Sequence, residues 1–211
     1  MNEQLDADDV LRLKTLCANL ENSYENSNID NEDEDLKGFT KEIIKSKEEV
    51  DRLLKWIDGD GTNLRVKRLF KPTLEKNSWR DFHEACDKKG PTIVLCEEQF
   101  GKRFGGFTKV NWDTSGNKSD SSSFLFSLDK KVKFSGTESP GIYGGDNYGP
   151  YFFGKTLSLI DNEPEGKFLG IDQEHYTKES TRHYNVKKYE LSGADRFNLK
   201  NMEVYQVIQL N

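Results

Sequence analysis

After Gly90 the chain divides into short β-rich runs, and none of the connections between them is long enough to hold the crossover helix that joins parallel strands. Thr92–Cys96 (TIVLC), Phe104–Trp112 (FGGFTKVNW) and Phe124–Leu128 (FLFSL) are the clearest. Val132–Phe134, Tyr151–Phe153, Leu157–Ile160, Tyr184–Leu191 and Met202–Leu210 follow, separated by stretches rich in Gly, Ser, Asn and Asp. This spacing restricts the chain to a mainly antiparallel sheet arrangement, and the number of strands predicts a β-sandwich core.

The first 58 residues differ from the rest. They carry 16 acidic against 8 basic side chains, whereas residues 59–211 carry 21 against 23. Gly38 is the sole glycine before Gly59, and all five prolines lie beyond it. Val10, Leu13, Cys17, Leu20 and Tyr24 recur at intervals of three and four, as on an amphipathic helix. Leu36, Phe39, Ile43, Val50, Leu53 and Ile57 continue such a seam in a second segment. Between the seams, ENSNIDNEDED holds six acids and no base, which predicts a solvated loop. The seams predict two helices that dock on the domain or on each other, or else form a separate coiled-coil-like arm for self-association through residues 5–57.

Ser78 and Asp81 have the spacing of a capping box, and Trp79, Phe82, His83 and Cys86 share one helical face. Gly90 and Pro91 then stop the segment, so a short helix over Trp79–Lys88 is expected. At 211 residues, with 34% hydrophobic and 32% charged residues, the chain is sized for one core plus an appendage. No apolar window is long enough to span a bilayer, and the acidic start MNEQLDADDV lacks the pattern of a secretory signal. Three cysteines without CxxC spacing fit reduced thiols, so a cytoplasmic or also nuclear location is expected.

FHEACDKKGPT (Phe82–Thr92), FGGFT (Phe104–Thr108), Trp112, SFLFSL (Ser123–Leu128), YGP (Tyr148–Pro150), SLIDN (Ser158–Asn162) and MEVYQV (Met202–Val207) occur in an order that resembles the TLDc domain. The similarity covers roughly residues 60–211. It implies a two-sheet antiparallel β-sandwich with flanking helices over 60–211, which agrees with the α+β class read from the strand runs; the acidic helical arm over 1–58 lies outside the resemblance. The resemblance further implies a non-enzymatic protein-interaction module of eukaryotes, associated with oxidative stress resistance. Among such proteins several bind the vacuolar proton-pumping ATPase and alter its assembly, which makes its peripheral subunits an expected class of partner. No cofactor is implied.

The residues themselves offer a few candidate sites. Cys86 or Cys96 would serve a peroxide-reactive enzyme or sensor if its pKa were lowered, but Cys86 repeats on the apolar helix face and Cys96 closes an apolar strand, as small core residues do. His83, His175 and His183 are too scattered for a zinc pattern. Asp58, Asp60 and Thr62 begin like an EF-hand, yet the sixth position is Asn63 and the twelfth Leu69. Asp161, Glu163, Glu165, Gly166 and Asp172 fit better by position, but flanking β-like runs deny them the two helices. GIYGGDNYGP lacks a phosphate-binding pattern. As a turn-rich loop it offers Tyr143, Asp146 and Tyr148 for partner contact, or else its tyrosines cap the sandwich. Arg65, Lys67, Arg68, Lys71 and Lys76 form a basic run that reads as a solvated face, or as a contact for an acidic partner. A stress-responsive nucleic-acid-binding role for that run is disfavoured by the net charge of −6.

Overall fold

The structure is a computed structural model describing residues 36–159, 167–169, 175–179 and 182–210. The first seam, Val10–Tyr24, and the acidic stretch up to Asp35 lie outside the described residues.

One six-stranded sheet is built from β1 (Leu64–Phe70), β2 (Thr92–Glu98), β3 (Arg103–Thr108), β5 (Phe124–Ser127), β6 (Val132–Ser135) and β12 (Leu199–Gln209). Its order is β1-β12-β2-β3-β5-β6, antiparallel at every pairing. The second sheet takes β4 (Gly116–Ser119), β7 (Gly141–Gly144), β8 (Tyr151–Phe152), β9 (Leu157–Ser158), β10 (His175–Tyr176) and β11 (Arg196–Phe197). It runs β11-β10-β9-β8-β7-β4, again antiparallel throughout.

The pleat of the first sheet sorts its side chains into two separate cores. Val94, Cys96, Phe104, Leu125, Met202 and Val204 face the second sheet and meet Ile142, Phe152, Leu157 and Phe197. Ile93, Leu95, Phe107, Phe124, Phe126, Tyr205 and Val207 face the other way. There they are covered by Leu36, Phe39, Ile43, Ile44, Val50, Leu53 and Leu54. Burial on both faces is why TIVLC is a continuous apolar run and not an alternating one. Gly105 and Gly106 of the FGGFT string are needed for close approach. A Cβ on Gly105 would stand 1.9 Å from the Val94 carbonyl oxygen, and one on Gly106 would stand 2.4 Å from the Phe152 ring.

The seam from Leu36 to Ile57 is not one helix. Lys37 and Gly38 both have left-handed backbone, with φ of 52° and 97°, so no α-helix can pass through them. The Val66 N–H donates to the Lys37 carbonyl at 2.9 Å, and these residues run as a strap along β1. Helix α1 (Lys47–Asp58) begins at the Ser46 cap and ends at Gly59, whose φ is 90°. Its apolar stripe docks on its own sheet. Arg103 pins it there, donating to Glu49 at 2.7 Å, to Asp129 and to the Ile43 carbonyl. Each fully buried Leu or Phe of this layer contributes roughly 2 kcal/mol.

Helix α2 (Trp79–Cys86) has the expected capping box, with Ser78 and Asp81 bonded reciprocally. It stops two residues before the expected Lys88 because Asp87 is extended and Lys88 is left-handed, with φ 60°. Phe82 and Cys86 plug the core between the sheets. The expected strand Tyr184–Leu191 is irregular, since Tyr189 has φ 63°. Tyr184, Val186 and Leu191 still reach the core, and the Tyr184 hydroxyl donates to the Gly141 carbonyl at 2.8 Å. Among the described residues no helix is long and apolar enough to cross a membrane.

Candidate functional site

The sequence GIYGG, read as loop, supplies strand β7, which pairs with β4 from Gly116↔Gly144 to Ser119↔Gly141. Glycine at both ends permits this closeness. A Cβ on Gly141 would meet the Lys118 carbonyl oxygen at 2.1 Å, and one on Gly144 the Asp113 carbonyl oxygen at 1.8 Å. Ile142 pairs with Phe152 of β8, and both side chains are buried. Strand alternation therefore sends their neighbours Tyr143 and Tyr151 to the opposite, outer face.

Between these strands the chain turns at Gly145–Tyr148, closed by the Tyr148 N–H donating to the Gly145 carbonyl at 3.0 Å. This brings a third ring beside the first two. Tyr143 and Tyr148 have centroids 5.2 Å apart, Tyr143 and Tyr151 5.6 Å, and Tyr148 and Tyr151 6.0 Å, all edge to face. Gly145 lies under the rings, where a Cβ would come within 2.7 Å of Tyr143 and 2.9 Å of Tyr148.

The turn is held from behind by α2. The Nε2–H of His83 donates to the carbonyls of Tyr148 at 3.0 Å and Gly145 at 3.2 Å, while Nδ1 lies 2.8 Å from the Asp87 carboxylate. The three tyrosines, all half-buried, form one wall of an open hollow of about 600 Å³. Phe153, Lys155 and His183 complete it, with Asn117, Ser119 and Ser139 at its polar side. His183 is oriented by its Nδ1–H, which donates to the Ser139 carbonyl at 2.8 Å.

Tyr143 and Tyr148 thus line one hollow, and Asp146 is exposed at the tip of the same turn, outside the lining. Tyr151, Phe153, Lys155 and His183 were missed by sequence reasoning. The alternation Tyr151-Phe152 carried a signal for the first of them, but nothing local linked Lys155 or His183 to the tyrosines. Arg65, Lys67 and Arg68 are elsewhere, on edge strand β1 of the other sheet. The alternation Leu64-Arg65-Val66-Lys67 was a strand signal hidden by the basic charge. Arg65 and Lys67 are exposed, whereas Arg68 donates to the buried Glu203 at 2.8 Å and lies 3.7 Å from Glu42. Glu203 also accepts from the Thr40 hydroxyl at 2.7 Å, tying the strap to the sheet.

Cys86 and Cys96 have no exposed surface. Burial pushes both thiols up, with the Asp87 charge adding to the effect at Cys86, so each is held protonated. Buried His175 is pushed down to about 4 by desolvation, against a hydrogen bond to the Phe168 carbonyl at 2.9 Å. Among the described residues no group of three or more His, Cys, Asp or Glu side chains could hold a metal ion. Most of the acidic-glycine stretch from Asp161 to Asp172 lies outside the described residues.

Two antiparallel sheets, a helical cover and an open aromatic hollow on the second sheet define a β-sandwich module. The TLDc domain family matches residues 38–208, and the chain belongs to that family. It is also similar to the MTOR-associated protein MEAK7 of Danio rerio, 26% identical over 155 residues. That match covers 72% of this chain and 34% of the relative, so the chain spans about a third of the length of the curated relative it matches.

Proposed function

We propose that this chain is a non-enzymatic protein-interaction module in which the hollow walled by Tyr143, Tyr148 and Tyr151 receives a partner. The observation that carries the reading is that three half-exposed aromatic rings are held by one another, by Gly145 and by His83 around open space. Rigid tyrosines provide large contact area at small entropic cost, as hot-spot residues of protein interfaces do. Asp146 stands at the rim as a further contact.

The partner is a cytosolic assembly, and family membership favours the peripheral subunits of the vacuolar proton ATPase. Regulation of that pump's assembly is the route by which the chain supports oxidative stress resistance in the cytoplasm, and also in the nucleus if its partner is found there. The name of the zebrafish relative associates that protein with MTOR, which fits a role in binding large assemblies. A peroxide-reactive thiol at Cys86 or Cys96 is disfavoured by their burial.

Immobilised full chain, challenged with purified peripheral sector of the vacuolar ATPase, tests both parts of the reading. Retention that falls about ten-fold in a Tyr148→Ala variant, the size expected of a hot-spot residue, supports it. No retention by the unaltered chain removes that partner. Equal retention by chain and variant removes the tyrosine hollow as the contact.

A further inference from the structure

Phe100 stands 85% exposed at the tip of the turn between β2 and β3. A lone apolar side chain at a surface is ordinary, but the backbone that carries this one is fixed. Every N–H from Glu98 to Lys102 is bonded. Those of Phe100 and Lys102 donate to the buried Glu98 carboxylate, each at 2.9 Å, and that of Gly101 donates to the Glu98 carbonyl at 2.9 Å. Those of Gln99 and Glu98 donate to the Asn198 and Lys102 carbonyls, each at 3.0 Å. A carboxylate taken out of water to shape a turn, with a phenyl ring left in water at its tip, is the reverse of what burial alone favours. The ring is held ready for contact, with little backbone entropy left to lose when contact is made.

The turn between β5 and β6 lies beside it, at the same end of the first sheet. Arg103, the first residue of β3, accepts from the Leu128 N–H at 2.9 Å. It also donates to the Asp129 carboxylate from its own N–H at 2.6 Å and from Nε–H at 2.9 Å. Lys130 and Lys131 are exposed at the tip of this second turn, Val132 follows at 40% exposed, and Lys102 is exposed near Phe100. The carboxylates beside these lysines are engaged by the protein itself. Glu97 is bonded to Lys200 at 2.8 Å, Glu98 to the N–H groups of its own turn, and Asp129 to Arg103.

We infer that this end of the first sheet docks on an anionic lipid surface, with the Phe100 ring inserted below the headgroups and Lys102, Lys130 and Lys131 among the phosphates. A protein pocket is the less suited occupant. Lysine is depleted at protein interfaces, and a hot-spot ring there sits among neighbours that keep water out. Phe100 has no such surround on its own turn, where Gln99, Gly101 and Lys102 flank it. A bilayer supplies the surround: an aromatic ring on a convex tip enters it without a matching cavity, and lysines lay their stems along it while their ammonium groups stay in the headgroup layer. Each lysine near an anionic surface strengthens attachment about five-fold. One ring and three lysines therefore give weak, reversible attachment rather than a permanent anchor. The inference goes beyond the proposed function, since it uses a different face and a different kind of partner.

Co-sedimentation of the full chain with phosphatidylcholine vesicles, with and without phosphatidylserine, tests it. Binding is expected to the phosphatidylserine vesicles and to fall at least about ten-fold on vesicles of phosphatidylcholine alone, an arm that needs no variant. Phe100→Ser should lower binding at least about ten-fold, as the loss of a buried aromatic ring does, and its exposed position leaves Tm unchanged. The Lys130→Glu, Lys131→Glu double variant, on the neighbouring turn, should lower binding by at least as much. Tryptophan at the tip, as Phe100→Trp, should shift its emission to the blue when phosphatidylserine vesicles are added. Failure of the unaltered chain to bind, equal binding by Phe100→Ser or by the lysine variant, or no emission shift overturns the inference. So does a Phe100→Ser variant that loses the ATPase sector but keeps the vesicles, which would make the ring a protein anchor. Tyr148→Ala should bind vesicles as the unaltered chain does, so the tyrosine contact and the lipid contact stand or fall separately.

Discussion

His83 Nε2 on α2 lies 3.0 Å from the carbonyl oxygen of Tyr148, so a helix that plugs the core between the sheets also holds the turn that presents the aromatic hollow. The Nδ1 contact to Asp87, in the same helix register, fixes the ring in that orientation. Replacing His83 by alanine frees the Gly145 and Tyr148 carbonyls. The expected stability loss is about 1 kcal/mol, the typical net worth of such a hydrogen bond, or about 3 °C in Tm. Binding at the tyrosine hollow should suffer more than stability does. Thermal unfolding and partner titration on the same variant separate the two, and unchanged binding would mean the turn holds itself.

Arg68 and Glu203 form an asymmetric pair. The Glu203 side chain is fully buried, with one oxygen bonded to Arg68 and Thr40 and the other unpartnered, while Arg68 is 38% exposed. Removing the arginine leaves a buried carboxylate facing only the hydroxyls of Thr40 and Tyr205. Removing the glutamate leaves a cation that water can still reach. Arg68→Ala should therefore cost about 3 kcal/mol and Glu203→Gln only about 1 kcal/mol. Urea denaturation of both variants reads the order, and a reversed order would contradict the described pairing.

Burial holds the thiols of Cys86 and Cys96 protonated, so neither should react while the chain is folded. In a Cys17→Ser background these two are the remaining thiols. Ellman's reagent near pH 7 should label them only as fast as the chain unfolds, and both promptly in urea. Prompt labelling of the folded chain would restore the redox reading.

Buried His175 makes stability depend on acidity. Its folded pKa, about 4, is below its ordinary value of 6.5. Between those values the unfolded chain binds the proton and the folded chain does not, so stability falls as pH drops through 6.5 and the loss is complete below about 4. The contribution reaches about 3 kcal/mol at most. A His175→Gln variant should show a shallower decline of the urea midpoint between pH 7 and pH 4.5. An identical decline in both proteins would assign the acid sensitivity to other groups.

Legibility in the sequence followed the range of the interaction involved. The capping box at Ser78 and Asp81 was readable because both partners lie within one turn. The antiparallel sheets were readable from connection lengths alone. Strand β1 was not, because its partner β12 lies more than a hundred residues away and its exposed Arg65 and Lys67 read as a charge run. The seam from Leu36 to Ile57 misled for a related reason. Its spacing suits a helix, and only the sheet it covers reveals that the Lys37–Gly38 bend converts half of it into a strap.

By itself, the sequence determined that this chain forms short antiparallel strands and where α2 begins. Those outcomes depend on local period and caps. Tertiary structure alone decided which face of each strand meets which core, and that Tyr143, Tyr148 and Tyr151 gather with Lys155 and His183 around one hollow. Such choices depend on burying two faces of a sheet at once, and the free energy that selects them exists only when distant segments are already in contact.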